Sequence, residues 1–130
     1  MLYIVRGLPG SGKSTFAKSL SRALNCPHFE EDMWLFTKGH YYWTPERFEI
    51  AVETCLRETE LAMLNYNVNA IVVSNVFETE DMLEPYATLA KKHDWPVTYL
   101  VAENRRGGVN IHNVPDEALD QMKAEFQVRL

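Results

Sequence analysis

Cysteine is scarce. Cys26 and Cys55 are the only two in 130 residues. They stand alone, without the spacing of a metal knuckle or a redox pair. Buried, reduced thiols are the expectation, which suits a cytoplasmic protein. No apolar run is long enough to cross a bilayer, so no membrane association is expected. The opening residues, 1–5, are too short for a secretion signal and lead straight into glycines. No repeat or low-complexity tract appears. A basic excess is also missing: the net charge is −5. Coating nucleic acid needs many cations against phosphates. If this chain meets nucleic acid, it grips an end or a few nucleotides.

The length fits one domain over residues 1–130. Residues 2–5 read as a buried strand. Residues 14–24 read as a helix with Phe16, Ala17, Leu20, Ala23 and Leu24 on one face. Asn25 and Pro27 stop it, and residues 28–30 suit a short second strand. Thr44-Pro45 offers a capping hydroxyl and a first-turn proline for a helix running to about Asn65. Ala70-Ile71-Val72-Val73 lacks polar alternation, as a central parallel strand does. Thr79-Glu80-Asp81 starts a helix ending near His93, with Pro85 as a kink or a second start. Residues 96–101 form the fourth strand, and a polar loop follows over 103–114. A last helix begins at Pro115, with Leu119, Met122 and Phe126 at helical spacing. Strands separated by helices predict an α/β fold in three layers, a small parallel sheet of about four strands with helices on both faces.

Gly7-Leu8-Pro9-Gly10-Ser11-Gly12-Lys13-Ser14 fits G-x-x-x-x-G-K-[ST], the phosphate loop (P-loop, or Walker A). Glycines let successive backbone N–H groups converge on one anion, and the helix that follows adds its positive end. Pro9, Gly10, Ser11, Gly12, Lys13, Ser14 and Thr15 are therefore the nucleotide-binding candidates. Lys13 is assigned to the β- and γ-phosphates, and the Ser14 hydroxyl to Mg²⁺. A chance glycine turn is the alternative, and the strand before and amphipathic helix after argue against it. The loop alone does not separate a kinase from a switch or a motor. No N-K-x-D segment is present for a GTPase.

These segments, with "FEEDMW", "IVVSN", "LEPYATLAKKHDWPV" and "NVPDEALDQM", resemble the phage 5′-polynucleotide kinase-like family in order and spacing. The resemblance covers nearly the whole chain. It implies an ATP-dependent kinase with Mg²⁺, moving the γ-phosphate to a hydroxyl acceptor such as a nucleic-acid 5′-OH or a modified nucleotide. Asp32 matches the family's proton-accepting aspartate, and the crevice at the strands' carboxyl ends is where such a group belongs. A solvated acidic turn is the alternative, since Glu30 and Glu31 adjoin it. Arg105 and Arg106, before Gly107-Gly108, resemble lid arginines that contact ATP phosphates; a solvated basic loop is the alternative. Asn113-Val114-Pro115 resembles the edge of an adenine site.

Two positions depart from the family. Asn75 stands where an acid near the end of the third strand helps hold Mg²⁺, and Leu35 stands where an arginine is usual, with Lys38 the candidate to compensate. A small-metabolite kinase, or a module that binds ATP with weak hydrolysis or none, are the competing expectations. Among the aromatics after Asp32, most are expected to cover the sheet. Trp34 and Trp43 are kept as base-stacking candidates. His28, His40, His93 and His112 lack metal spacing.

Overall fold

A computed structural model describes residues 1–103 and 114–130. In chain order the elements are β1 (Leu2–Arg6), α1 (Lys13–Leu24), β2 (His28–Phe29), a 3₁₀ turn (Glu31–Trp34), β3 (Phe36–Thr37), β4 (His40–Tyr41), α2 (Pro45–Met63), β5 (Ile71–Asn75), α3 (Glu80–Lys92), β6 (Val97–Val101) and α4 (Asp116–Glu125).

The main sheet has the order β2-β5-β1-β6, and every pair is parallel. Strand side chains alternate between faces. Leu2 and Ile4 of β1, with Ile71 and Val73 of β5, pack against Cys55 and Met63 of α2 and Leu83, Tyr86 and Leu89 of α3. Val5 and Val72 face the other way, toward Ala17 and Leu20 of α1. Helices thus cover both faces, which is why the central strands carry no polar alternation. The chain leaves β1 for one side of the sheet through α1, and leaves β5 for the other side through α3. A crevice opens at the carboxyl ends of those two adjacent strands.

Local chemistry sets the boundaries. Asn25 closes α1 in the left-handed conformation, at φ 50°. The Thr44 hydroxyl accepts from the Arg47 N–H at 3.1 Å, and Pro45 follows it as the first residue of α2. Helix α3 runs through Pro85 as one element, neither broken nor restarted. Proline there leaves only the Asp81 carbonyl without its helical donor. The hairpin of β3 and β4 was not expected from the sequence. Its turn is Lys38-Gly39, at φ 52° and 81°. Both angles are positive, as the tight hairpin turn matching strand twist requires.

Arg6 ends β1 nearly buried. Its Nε and Nη2 donate to the Phe77 carbonyl at 3.0 and 2.7 Å, and Nη2 also donates to the Gln127 carbonyl at 2.5 Å. The guanidinium lies 4.8 Å from the Phe126 ring centre. One side chain therefore ties the strand before the glycine loop to the segment after β5 and to the segment after α4.

Candidate active site

The loop at residues 7–12 joins β1 to α1. Gly10 and Gly12 hold φ of 80° and 88°, which favours glycine at both. Gly12 is the residue before the helix, and no side chain caps it. The first helical hydrogen bond closes at Phe16, whose N–H reaches the Gly12 carbonyl at 3.0 Å. The N–H groups of Lys13, Ser14 and Thr15 precede that bond, so the helix supplies them no acceptor. Ser11 Oγ is buried without a hydrogen-bond partner among the described residues. Gly7 supports the curl, since a Cβ there would meet Ser11 Oγ at 2.3 Å and the Ala102 carbonyl at 3.1 Å. Uncapped donors, an orphan hydroxyl and a positive helix end together fit an anion with several oxygens.

Lys13 is buried, with 9% of its surface exposed. Burial lowers its pKa, while Asp32 and then Glu30 act to raise it. The ammonium therefore shares one electrostatic environment with both carboxylates. Asp32 sits in the 3₁₀ turn just past β2, and its Oδ1 accepts from the Tyr41 hydroxyl at 3.1 Å. Burial and that same carboxylate raise the Tyr41 phenol's pKa. Phe36 pairs with Tyr41 across the hairpin, ring edge to face at 5.5 Å, and stays half exposed. The sequence singled out Lys13, Ser14 and Asp32, and the fold brings them to one mouth. Arg105 and Arg106 lie outside the described residues, as do Asn113 and His112.

One position stands differently from expectation. Asn75 was the position compared with a metal-site acid. Its side chain lies on the α2 face: Oδ1 accepts from the Glu31 N–H at 2.7 Å, and Nδ2 lies 3.8 Å from Cys55 Sγ. The preceding residue, Ser74, faces α1 and the phosphate loop. Trp34 is partly buried, stacks on Phe29 at 6.3 Å and packs on the core. Trp43 leans on Phe48 at the start of α2. The aromatic pair beside Asp32 is Phe36 and Tyr41. Lys38 borders a 390 Å³ cleft with Thr37, His40, Tyr42 and Arg47, on the side of the hairpin opposite Tyr41. Leu35 is fully buried.

Sequence reasoning passed over Glu30. Its Oε2 accepts from Ser14 Oγ at 2.8 Å and from Ser74 Oγ at 2.9 Å. Glu31 was also passed over, and burial, then Asp32, pushes its pKa up to about 7. The signal was present: three consecutive acids after a strand cannot all face water when the strand's end is enclosed.

A second cleft, of 580 Å³, runs beside the loop between Leu8, Pro9 and Ser11, the end of β6 at Val101–Glu103, and Leu119, Lys123 and Phe126 of α4. It borders the first half of the glycine loop and has room for a ring system.

A family pattern described as "AAA domain" matches residues 2–128. The chain belongs to that family. Solved structures share its fold at low sequence identity. Chaetomium thermophilum Kti12, in complex with ADP-AlF3, superposes with a TM-score of 0.68 at 15% identity, covering 98% of this chain and 81% of Kti12. A gluconokinase from Sinorhizobium meliloti 1021 gives 0.61 at 14% identity, covering 97% and 74%. The Pnkp1/Rnl/Hen1 RNA repair complex gives 0.68 at 20% identity, covering 97% of this chain and 43% of the matched one. Among curated sequences, the Uncharacterized protein PM0531 of Pasteurella multocida (strain Pm70) is 43% identical over 58% of this chain. The match spans about half of that relative, 49%. This AAA-domain chain thus has the phosphate-loop fold of kinases. No described helix is long and apolar enough to cross a membrane.

Proposed function

We propose that this protein is an ATP-dependent kinase that passes the γ-phosphate to a hydroxyl acceptor. The observation that carries the reading is the buried Lys13 ammonium facing both Asp32 and Glu30 beside a loop of uncapped N–H donors. The amides of residues 13–15, with Lys13, would hold the β- and γ-phosphates, and the cleft between Pro9 and Phe126 would take the base. Asp32 accepts the acceptor hydroxyl's proton as that oxygen bonds to the γ-phosphorus and ADP departs. Mg²⁺, when bound, neutralises charge on the phosphates. Ser14 fits it, and a cation held mostly by phosphates and water needs few protein ligands.

The acceptor class we favour is a nucleic-acid 5′-OH or a nucleotide. The half-exposed Phe36 ring, in contact with Tyr41 and so next to Asp32, offers a face on which a base can stack. The fold neighbours include an RNA repair complex and a gluconokinase, so a polyol acceptor is the second reading. Incubation with Mg-ATP labelled at the γ-phosphorus, against 5′-OH oligonucleotides, nucleosides and sugar acids, decides between them. Label transferred only to sugar acids selects the second. A protein that binds ATP yet labels no acceptor leaves only an ATP-binding module.

A further inference from the structure

Ser14 and Ser74 both donate to a single carboxylate oxygen, Glu30 Oε2, at 2.8 and 2.9 Å. Glu30 follows β2, whereas Ser74 lies on β5 and Ser14 in the first turn of α1. His28 Nε2 lies 2.7 Å from Ser74 Oγ. Ser74 has one hydroxyl hydrogen, and Glu30 takes it. The Ser74 oxygen then accepts, so His28 donates through Nε2–H. The group is enclosed: Ser74 has no exposure, and the His28 and Glu30 side chains keep 7% and 13%.

The direction of these bonds matters more than their number. The Ser14 hydrogen is committed to Glu30, which leaves the Ser14 lone pairs as its outward-facing chemistry. A lone pair is what a hard divalent cation takes. Ser74, on the face of β5 toward α1, is linked to Ser14 through the glutamate that follows the neighbouring strand β2. Asn75 is committed to the opposite face by its bond to the Glu31 N–H.

We propose that Glu30 is the carboxylate that orients Ser14 toward the cation of a bound Mg-nucleotide, with Ser74 and His28 fixing its position. The acid of this site thus comes from the residue just past β2 and not from β5. The inference rests on the nucleotide-binding reading above and deepens it.

Calorimetry of ATP binding, run once in EDTA and once in Mg²⁺, tests it without any turnover. The wild-type protein is expected to bind ATP in EDTA and more tightly in Mg²⁺. In Glu30→Gln, affinity in EDTA stays within about threefold, while the tightening by Mg²⁺ falls at least tenfold. A double variant, Glu30→Ser with Ser74→Asp, returns a carboxylate to the same face from β5 and restores most of the tightening. Thermal melts establish that each variant is folded. A folded Glu30→Gln with the wild-type response to Mg²⁺ overturns the inference. So does a folded double variant that binds ATP in EDTA but shows no recovery, because Glu30 is then a structural residue only. Wild-type protein that binds no ATP under either condition overturns the nucleotide-binding reading itself.

Discussion

The Ser14 hydroxyl reaches Glu30 Oε2 at 2.8 Å, across sixteen residues of chain. That bond fastens the start of α1 to the end of β2, with Lys13 and Asp32 each one or two residues away in sequence from its two ends. A hydroxyl, an ammonium and two carboxylates are gathered around one short link, and the expected behaviour of the site follows from it.

Replacing Lys13 with methionine keeps the stem and removes the ammonium. A charged hydrogen bond to phosphate contributes about 1.5–3 kcal/mol. ATP affinity is expected to fall by roughly 10- to 100-fold, measured by calorimetry in magnesium buffer. Unchanged affinity would place the nucleotide elsewhere.

Asp32→Asn preserves shape and loses the proton acceptor. Phosphate transfer is expected to fall by about 10²–10⁴-fold, with ATP affinity within a few-fold of the parent. Parallel loss of binding and transfer would assign Asp32 to holding the nucleotide and not to the chemistry.

Glu31 gives a pH signature. Its carboxyl is raised from 4.5 to about 7 by burial, then by Asp32. In the unfolded chain it ionises near its ordinary value. Below that value both states hold the proton, and the group costs nothing. As pH rises toward 7 the folded state must ionise a buried acid, so stability from this group falls, and above 7 the full cost is present. Glu31→Gln should therefore stabilise by about 3 kcal/mol at most at pH 8, and by far less near pH 5. Urea midpoints at the two pH values measure this. An equal effect at both would mean that the carboxyl does not titrate in that range.

Arg6→Met strands the Phe77 and Gln127 carbonyls that the guanidinium serves. A loss of about 2–4 kcal/mol is expected. Melting should drop by roughly 6–15 °C. Hydrogen exchange should rise first at residues 126–128, which Arg6 holds together with the bonds between Gln127 and residues 78 and 80. A melt within a degree of the parent would mean that backbone pairing alone holds this segment.

Much of the frame was readable in the residues, because burial on two faces and helix capping leave strong local marks. The β-branched run at 70–73 and the Thr44-Pro45 start are of that kind. Lys13 and Ser14 could be singled out because their spacing is short and tied to a loop of fixed shape, whereas Asp32 was singled out by resemblance and by its place just past a strand. The part that was not legible depends on which way a strand residue points. Ser74 and Asn75 are adjacent, and only the pairing of β5 decides which of them meets α1. Glu30 escaped for a related reason: its partners come from α1 and from a strand more than forty positions away. The two-residue strands of the hairpin left too little pattern to see, although Gly39 marked the turn. Arg105 and Arg106, read as lid residues, lie outside the described part of the chain.

The alternation along β5 has a consequence for how this sequence tolerates change. Ser74 and Asn75 are both polar, both enclosed, and separated by a single step of a two-step rhythm. A slip of β5 by one residue would turn each of them to the opposite face of the sheet. Neither would keep its present partner, Glu30 for the hydroxyl and Cys55 for the amide, and the valines would change sides as well. A shift of register along β5 is therefore expected to cost far more than a single substitution at the exposed positions of the tract joining α2 to β5.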